Sequence, residues 1–228
     1  MCGSLFTPAA HAADPGTLIF SDDFERNESQ EVTDEIGQGW GTNSKSRAKG
    51  NKQVDLRDGA MYIVTHPEAD HAASVTHPAE FRNGTVEMRF MLENAADSLG
   101  LNFADLQYKA VHAGHLCMAK VSPKQVQISD LKTGNMDLKT RELRLAGQLP
   151  KEIQERLKTK QTNIAHQLEV GQWYDLRVDI DGETMSVAIN GKQVGSFTSE
   201  GIAHPTKRML RLSVPREAVV DNVRIYAR

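Results

Sequence analysis

Cysteine is nearly absent, with two in 228 residues. Two thiols cannot build a disulfide framework or a cysteine-rich zinc site, so a packed core must hold the chain together. Aromatic residues are scarce, at 6%, with two Trp and four Tyr. A long polysaccharide gripped by a row of stacked rings is disfavoured on that count, and a small pocket with polar contacts fits better. No apolar run approaches the roughly 20 residues that a membrane helix needs, so no membrane span is expected. Charge of one sign is missing too. Lys and Arg total 27 against 30 Asp and Glu, a net −3. Such a balance offers no global attraction to nucleic acid or to an anionic membrane surface. There is no internal repeat and no low-complexity tract.

What remains is a chain of ordinary composition, 39% hydrophobic and 25% charged, long enough for one well-filled domain. Its charge is unevenly spread. Residues 1–40 carry eight acids against Arg26 alone, whereas the last 25 residues carry six bases against Glu217 and Asp221. That asymmetry suits two ends paired in one sheet, or two separately solvated faces. Near the start, Ala10-His11-Ala12 has the small-x-small form of a signal-peptidase site. Residues 1–16 are read either as the remnant of a signal peptide or as an irregular N-terminus of small residues. Cleavage after Ala12 removes Cys2, leaves Cys117 as the lone thiol, and implies a periplasmic or secreted protein.

Apolar residues alternate over short runs through most of the chain, the period of half-buried strands. Val86, Met88, Phe90 and Leu92 share one face of such a run. So do Tyr174, Leu176, Val178 and Ile180; Met185, Val187 and Ile189; Leu210, Leu212 and Val214; and Val219, Val223 and Ile225. Asn83-Gly84, Asp181-Gly182 and Asn190-Gly191 separate runs with residues that tolerate the positive φ of tight hairpins. The pattern predicts an all-β, antiparallel two-sheet sandwich or jelly roll over residues 17–228. Residues 150–167 break it. Pro150 suits a first helical turn, and Ile153, Leu157 and Ile164 make a narrow stripe at helical spacing, so a helical insertion is expected there. It is basic, with seven bases against three acids between Lys139 and Lys160.

Three stretches carry a resemblance. Phe20-Ser21-Asp22-Asp23-Phe24 precedes Gly39-Trp40. Gly171-Gln172-Trp173-Tyr174-Asp175-Leu176-Arg177-Val178 leads to Ile189-Asn190-Gly191-Lys192. The chain closes on Val220-Asp221-Asn222-Val223-Arg224-Ile225-Tyr226. Together they resemble the concanavalin A-like lectin/glucanase jelly roll, and within it the bacterial 3-keto-disaccharide hydrolase branch, across roughly residues 17–228. The resemblance implies a carbohydrate ligand and assigns Trp173 to the core. It also implies a structural calcium near Asp22 and Asp221. The Glu-x-Asp-x-(x)-Glu strand of laminarinase-type relatives, which sets two carboxylates on one face for retaining hydrolysis, is missing. Glu31, Asp34 and Glu35 come nearest, at the wrong offsets.

Histidine is the informative minority. Five of eight histidines fall between residues 66 and 115. His66, His71 and His77 form one group, and His112 and His115 another, with Asp105 and Lys109 before the second. Histidine is the side chain whose unperturbed pKa lies nearest neutrality. Such groups supply general acid and base, or neutral imidazoles for a divalent metal. Read as a strand, 71–77 projects His71 and His77 from one face. The bland alternative is that His66 and His77, each before a proline, are structural, and that His71 is merely solvated. Gly114 marks a place where backbone or ligand comes close.

If the resemblance extends to chemistry, the substrate is a sugar oxidised at its third carbon. A base removes the acidified neighbouring proton, and the glycosidic bond breaks by elimination. The candidate catalytic residues are His112, His115, Asp105, His71 and His77. Lys109, Asn102 and Trp40, the last in a glycine-rich loop, are candidate substrate contacts, and Lys109 or a metal is the candidate for steadying the enolate. The rivals are a non-catalytic carbohydrate-binding module and an extracellular adhesion domain of the same fold.

Overall fold

The computed structural model describes residues 14–228; Ala10-His11-Ala12 and Cys2 lie outside the described residues. The chain opens with β1 (Thr17–Asp22), β2 (Gly41–Thr42), the short helix α1 (Ser44–Arg47), β3 (Val54–Arg57) and β4 (Ala60–Val64). Then come β5 (Ala73–Phe81), β6 (Gly84–Met91), β7 (Leu99–Ala104), β8 (His115–Ser122) and β9 (Gln125–Asp130). Helices α2 (Leu138–Leu145) and α3 (Lys151–Lys158) lead into β10 (Gln161–Ala165). The last five strands are β11 (Trp173–Asp181), β12 (Thr184–Ile189), β13 (Lys192–Thr198), β14 (Lys207–Val214) and β15 (Glu217–Ala227).

These strands form two antiparallel sheets. One runs β13-β12-β11-β6-β15-β4-β3, with β1 also paired to β15; the other runs β10-β9-β8-β7-β14-β5-β2. The fold is the expected jelly-roll sandwich. The first and last strands are neighbours, with Phe20 opposite Ile225 and Asp22 opposite Val223. Apolar faces meet between the sheets. Val86, Met88, Phe90, Leu176, Val178 and Val187 come from one side, and Val75, Leu101, Phe103, Ile128, Leu210 and Leu212 from the other. All are removed from water, which is the main stabilising term of such a fold. Cys117 lies in this core, and burial pushes its thiol up to about 12, so it is inert. Asn190 and Gly191, at φ 49° and 72°, make the two-residue turn between β12 and β13.

Three sequence expectations change. Residues 150–167 are not one helix. Ile153 and Leu157 lie on α3, but 161–165 is a strand on β9, with Ile164 opposite Val126. The ladder bonds of an unpaired sheet edge outweigh a weak helical stripe, and Ile164 packs inward where Gly195 leaves it room. Val219 does not share a face with Val223 and Ile225. Asn222, at φ 52°, sits in a bulge that shifts the β6–β15 register, so Val220 is the core residue, opposite Phe90. Trp173 is only partly buried, at the start of β11, with the Arg89 guanidinium 4.8 Å from its ring.

The buried carboxylate of Asp130 pins the end of the second sheet to the chain after β13. It accepts from Ser199 Oγ at 2.6 Å, Thr133 N at 3.0 Å and Gly201 N at 3.1 Å, with Lys160 Nζ at 3.6 Å. Burial raises its pKa, but these donors more than offset that and hold it below the ordinary value. A depressed folded-state pKa gives stability that is complete above the unfolded value and is lost as pH falls through the folded one. Asp130→Asn should cost ~3 kcal/mol at neutral pH. It should also flatten the fall in stability below about pH 4, which urea midpoints measured against pH will show.

Candidate active site

The outer face of the second sheet carries the candidate site. Asn102 on β7 stands opposite Arg211 on β14 and Met118 on β8. Cross-strand partners of this kind are within side-chain reach. His115 joins their face through an irregularity. Phe103 pairs with Cys117 and Ala104 with His115, so Leu116 is an extra residue. That bulge turns His115 outward, whereas simple alternation from Met118 would bury it. Residues 105–114 then fold over the strand ends. Asp105 N donates to the Gly114 carbonyl at 2.9 Å, and a Cβ on Gly114 would lie 2.5 Å from the Asp105 carbonyl oxygen. Only glycine fits there, at φ 71°. His112 N donates to the Met136 carbonyl at 2.8 Å.

The result is a cleft of about 390 Å³ whose lining includes His71, His112, His115, Asn102, Arg211 and Arg47. Helix α1 brings Arg47 to the wall opposite the histidine loop. It is tied to the start of β5 by Asn43, whose amide donates to the Ala72 carbonyl and accepts from Ser74 N. Asn102 Oδ1 lies 3.0 Å from His115 Nδ1. Arg211 Nη1 lies against the same ring, 3.0 Å from Nδ1 and 3.2 Å from Nε2. Burial, together with Arg211, His112 and His71, drives the His115 pKa down to about 3. His112 is lowered by burial and by Arg141, Arg211 and Arg47. Both rings are neutral at pH 7. His71 Nδ1 lies 3.0 Å from the Ala72 carbonyl, which leaves its Nε2 facing solvent as an acceptor. The side chain of His112 makes no hydrogen bond among the described residues, so its ring is free to meet a ligand.

Other candidates fall elsewhere. His77 and Trp40 point inward and pack with Phe20, the His77 ring 3.6 Å from Phe20 and 5.0 Å from Trp40. Trp40 Nε1 donates to Asp22 at 2.8 Å. His71 precedes β5, so the shared face expected for His71 and His77 does not form. Asp105 is buried beside His204 Nε2 at 3.2 Å and faces away from the cleft. Lys109 Nζ donates to the Leu106 carbonyl at 2.6 Å and does not line the cleft. His66 caps its own turn, accepting from Glu68 N.

The metal sites fare no better. Asp22 already accepts from both Arg26 nitrogens, from Trp40 and from Phe24 N. Asp221 is held by Asn222 and faces Arg89. These carboxylates do not fit a calcium. His115 has both ring nitrogens engaged beside a guanidinium, and no third ligand converges with His71 and His112 among the described residues. A histidine-bound metal does not fit this donor set either. The carboxylates that do converge, Glu28, Glu31 and Asp55, are filled by Lys52 Nζ at 2.6–2.8 Å. Asp34 serves the backbone, accepting from Gln53 N and Val54 N.

The sequence pattern of the 3-keto-alpha-glucoside-1,2-lyase-like domain matches residues 32–225. The chain belongs to that family. No curated protein matches it. Among solved structures, the laminarinase of Rhodothermus marinus superposes with a TM-score of 0.60 at 13% identity, covering 92% of this chain and 97% of that one. The Bacillus licheniformis β-glucanase gives 0.59 at 9%, covering 94% and 100%. A carbohydrate-binding module of Bacillus subtilis, CBM66, gives 0.53 at 12%, covering 83% and 96%. These likenesses establish the fold, and a fold hosts both enzymes and binding modules. Within this family member, Arg211 and Arg47 are the cleft residues that sequence reasoning missed. The available signal for Arg211 was a charge on the polar face of an otherwise apolar strand, Leu210-Arg211-Leu212.

Proposed function

We propose that this chain cleaves 3-keto-glycosides by elimination across C1 and C2, with the cleft as its active site. The carrying observation is a neutral, unencumbered His112 beside the Arg211–His115–Asn102 chain. The C3 ketone acidifies the C2 proton. His112 takes that proton, and the C–H electron pair becomes an enolate. Arg211 faces the enolate oxygen, held in place by His115, which Asn102 orients in turn. The enolate collapses to a C1=C2 double bond, the C1–O bond breaks, and its electrons leave on the aglycone oxygen. The proton from C2 is returned to that oxygen, so the products are an unsaturated keto-sugar and an alcohol. No pair of carboxylates is required, in keeping with the missing laminarinase spacing. Work on such sugars suits an exported protein, as the small-x-small sequence near the N-terminus suggests.

The test is turnover of matched glycosides and 3-keto-glycosides in D2O. The expected result is aglycone release from the keto forms alone, with deuterium entering C2 of recovered substrate. The acidic limb of kcat/KM should fall below pH 6.5, because a base whose pKa is lowered stays unprotonated into more acid solution. Binding without turnover would instead support a carbohydrate-binding module.

A further inference from the structure

We infer that the cleft selects an anionic sugar, one carrying a carboxylate or a phosphate, with Arg47 as the residue that holds the charge. This rests on the reading of the cleft as the substrate site. Among the described residues no Asp or Glu lines it. Arginine offers only donors, and the amide oxygens in the wall are already taken. Asn102 Oδ1 faces His115, and Asn43 Oδ1 accepts from Ser74 N and Gln53 Nε2. Ser46, Ser74, Ser213 and the imidazoles can still accept, but the fixed charges in the wall, Arg47 and Arg211, are both positive, the complement of an anion.

Arg211 has a role in the elimination; Arg47, on the opposite wall, has none. Its ion partner is Asp70, at 3.4 Å, and the two side chains are 50% and 64% exposed. An exposed pair of this kind contributes little, so a ligand anion can replace it at small cost. Arg211 and Arg47 line the cleft together with His112, and with Arg141 they disfavour its cationic form. An anion there meets attraction from two walls. A planar guanidinium pairs with carboxylate and phosphate alike, so the chemistry is common to uronates and sugar phosphates.

The experiment is calorimetric titration of the full chain with methyl glucuronide, glucose 6-phosphate and methyl glucoside, none of which carries the ketone. One or both anionic sugars should bind about tenfold or more tighter than the neutral one. The preference should shrink as salt rises from about 20 to 500 mM, and Arg47→Gln, checked for folding by circular dichroism, should erase it. The two anionic arms tell carboxylate from phosphate. Equal affinities, no measurable binding of any of the three, or a preference that survives Arg47→Gln would overturn the inference. Turnover of neutral keto-glycosides with no charge preference sinks this inference and leaves the elimination standing. Charge preference with no turnover of any keto-glycoside does the reverse.

Discussion

His112→Ala should lower kcat for a 3-keto-glycoside by about 10²–10⁴-fold, the usual contribution of a positioned general base. The protein should remain folded, because the His112 side chain holds nothing in place. Its backbone, bonded to Met136, is unaffected by truncation at Cβ. Deuterium entry at C2 is the decisive companion measurement. A variant that has lost the base loses exchange and cleavage together. If exchange persists while cleavage falls, His112 serves the leaving group and another group is the base. Cleavage within threefold of the parent would remove His112 from the mechanism.

Arg211→Met should cost about 10²–10³ in kcat, as expected for the loss of a preorganised donor to a developing oxyanion. It also has a signature independent of rate. Arg211 is among the causes that hold the His115 pKa near 3, after burial. Removing a cation favours the imidazolium, so the His115 pKa must rise, and an NMR titration of the ring will show it. Arg211→Lys keeps the charge but loses the planar fork, so it should recover part of the rate. A full rate in Arg211→Met would leave the enolate without its proposed partner. An unmoved His115 titration would contradict the contact itself.

The strands were legible because burial on one side of a sheet imposes a period of two. Nearly every face read from alternation is buried as expected. The failures mark places where period alone carries no information. At Asn222 a bulge reversed the inward face, so Val220 replaced Val219. At Ile164 a short stripe fitted a helix, and only the open edge of β9 decided for a strand. Trp40 sits among glycines, which suggested an exposed loop, yet its ring closes one end of the core over Asp22.

The site was half legible. Clustering in sequence brought attention to His71, His112 and His115, and these do converge. The same clustering drew in His77 and Asp105, which face elsewhere. Arg211 lies about a hundred residues from its partners, and Arg47 on a different element again, so no local pattern connects them. By itself the sequence determined the sheet class, the tight turns, the absence of a laminarinase carboxylate pair and the clustering of histidine. Each of these is set by residues near one another in the chain. Tertiary structure alone decided which histidines share a cleft and that arginines, not carboxylates or a metal, surround them. Those facts depend on strand order and register, which bring distant segments side by side and which no local period encodes.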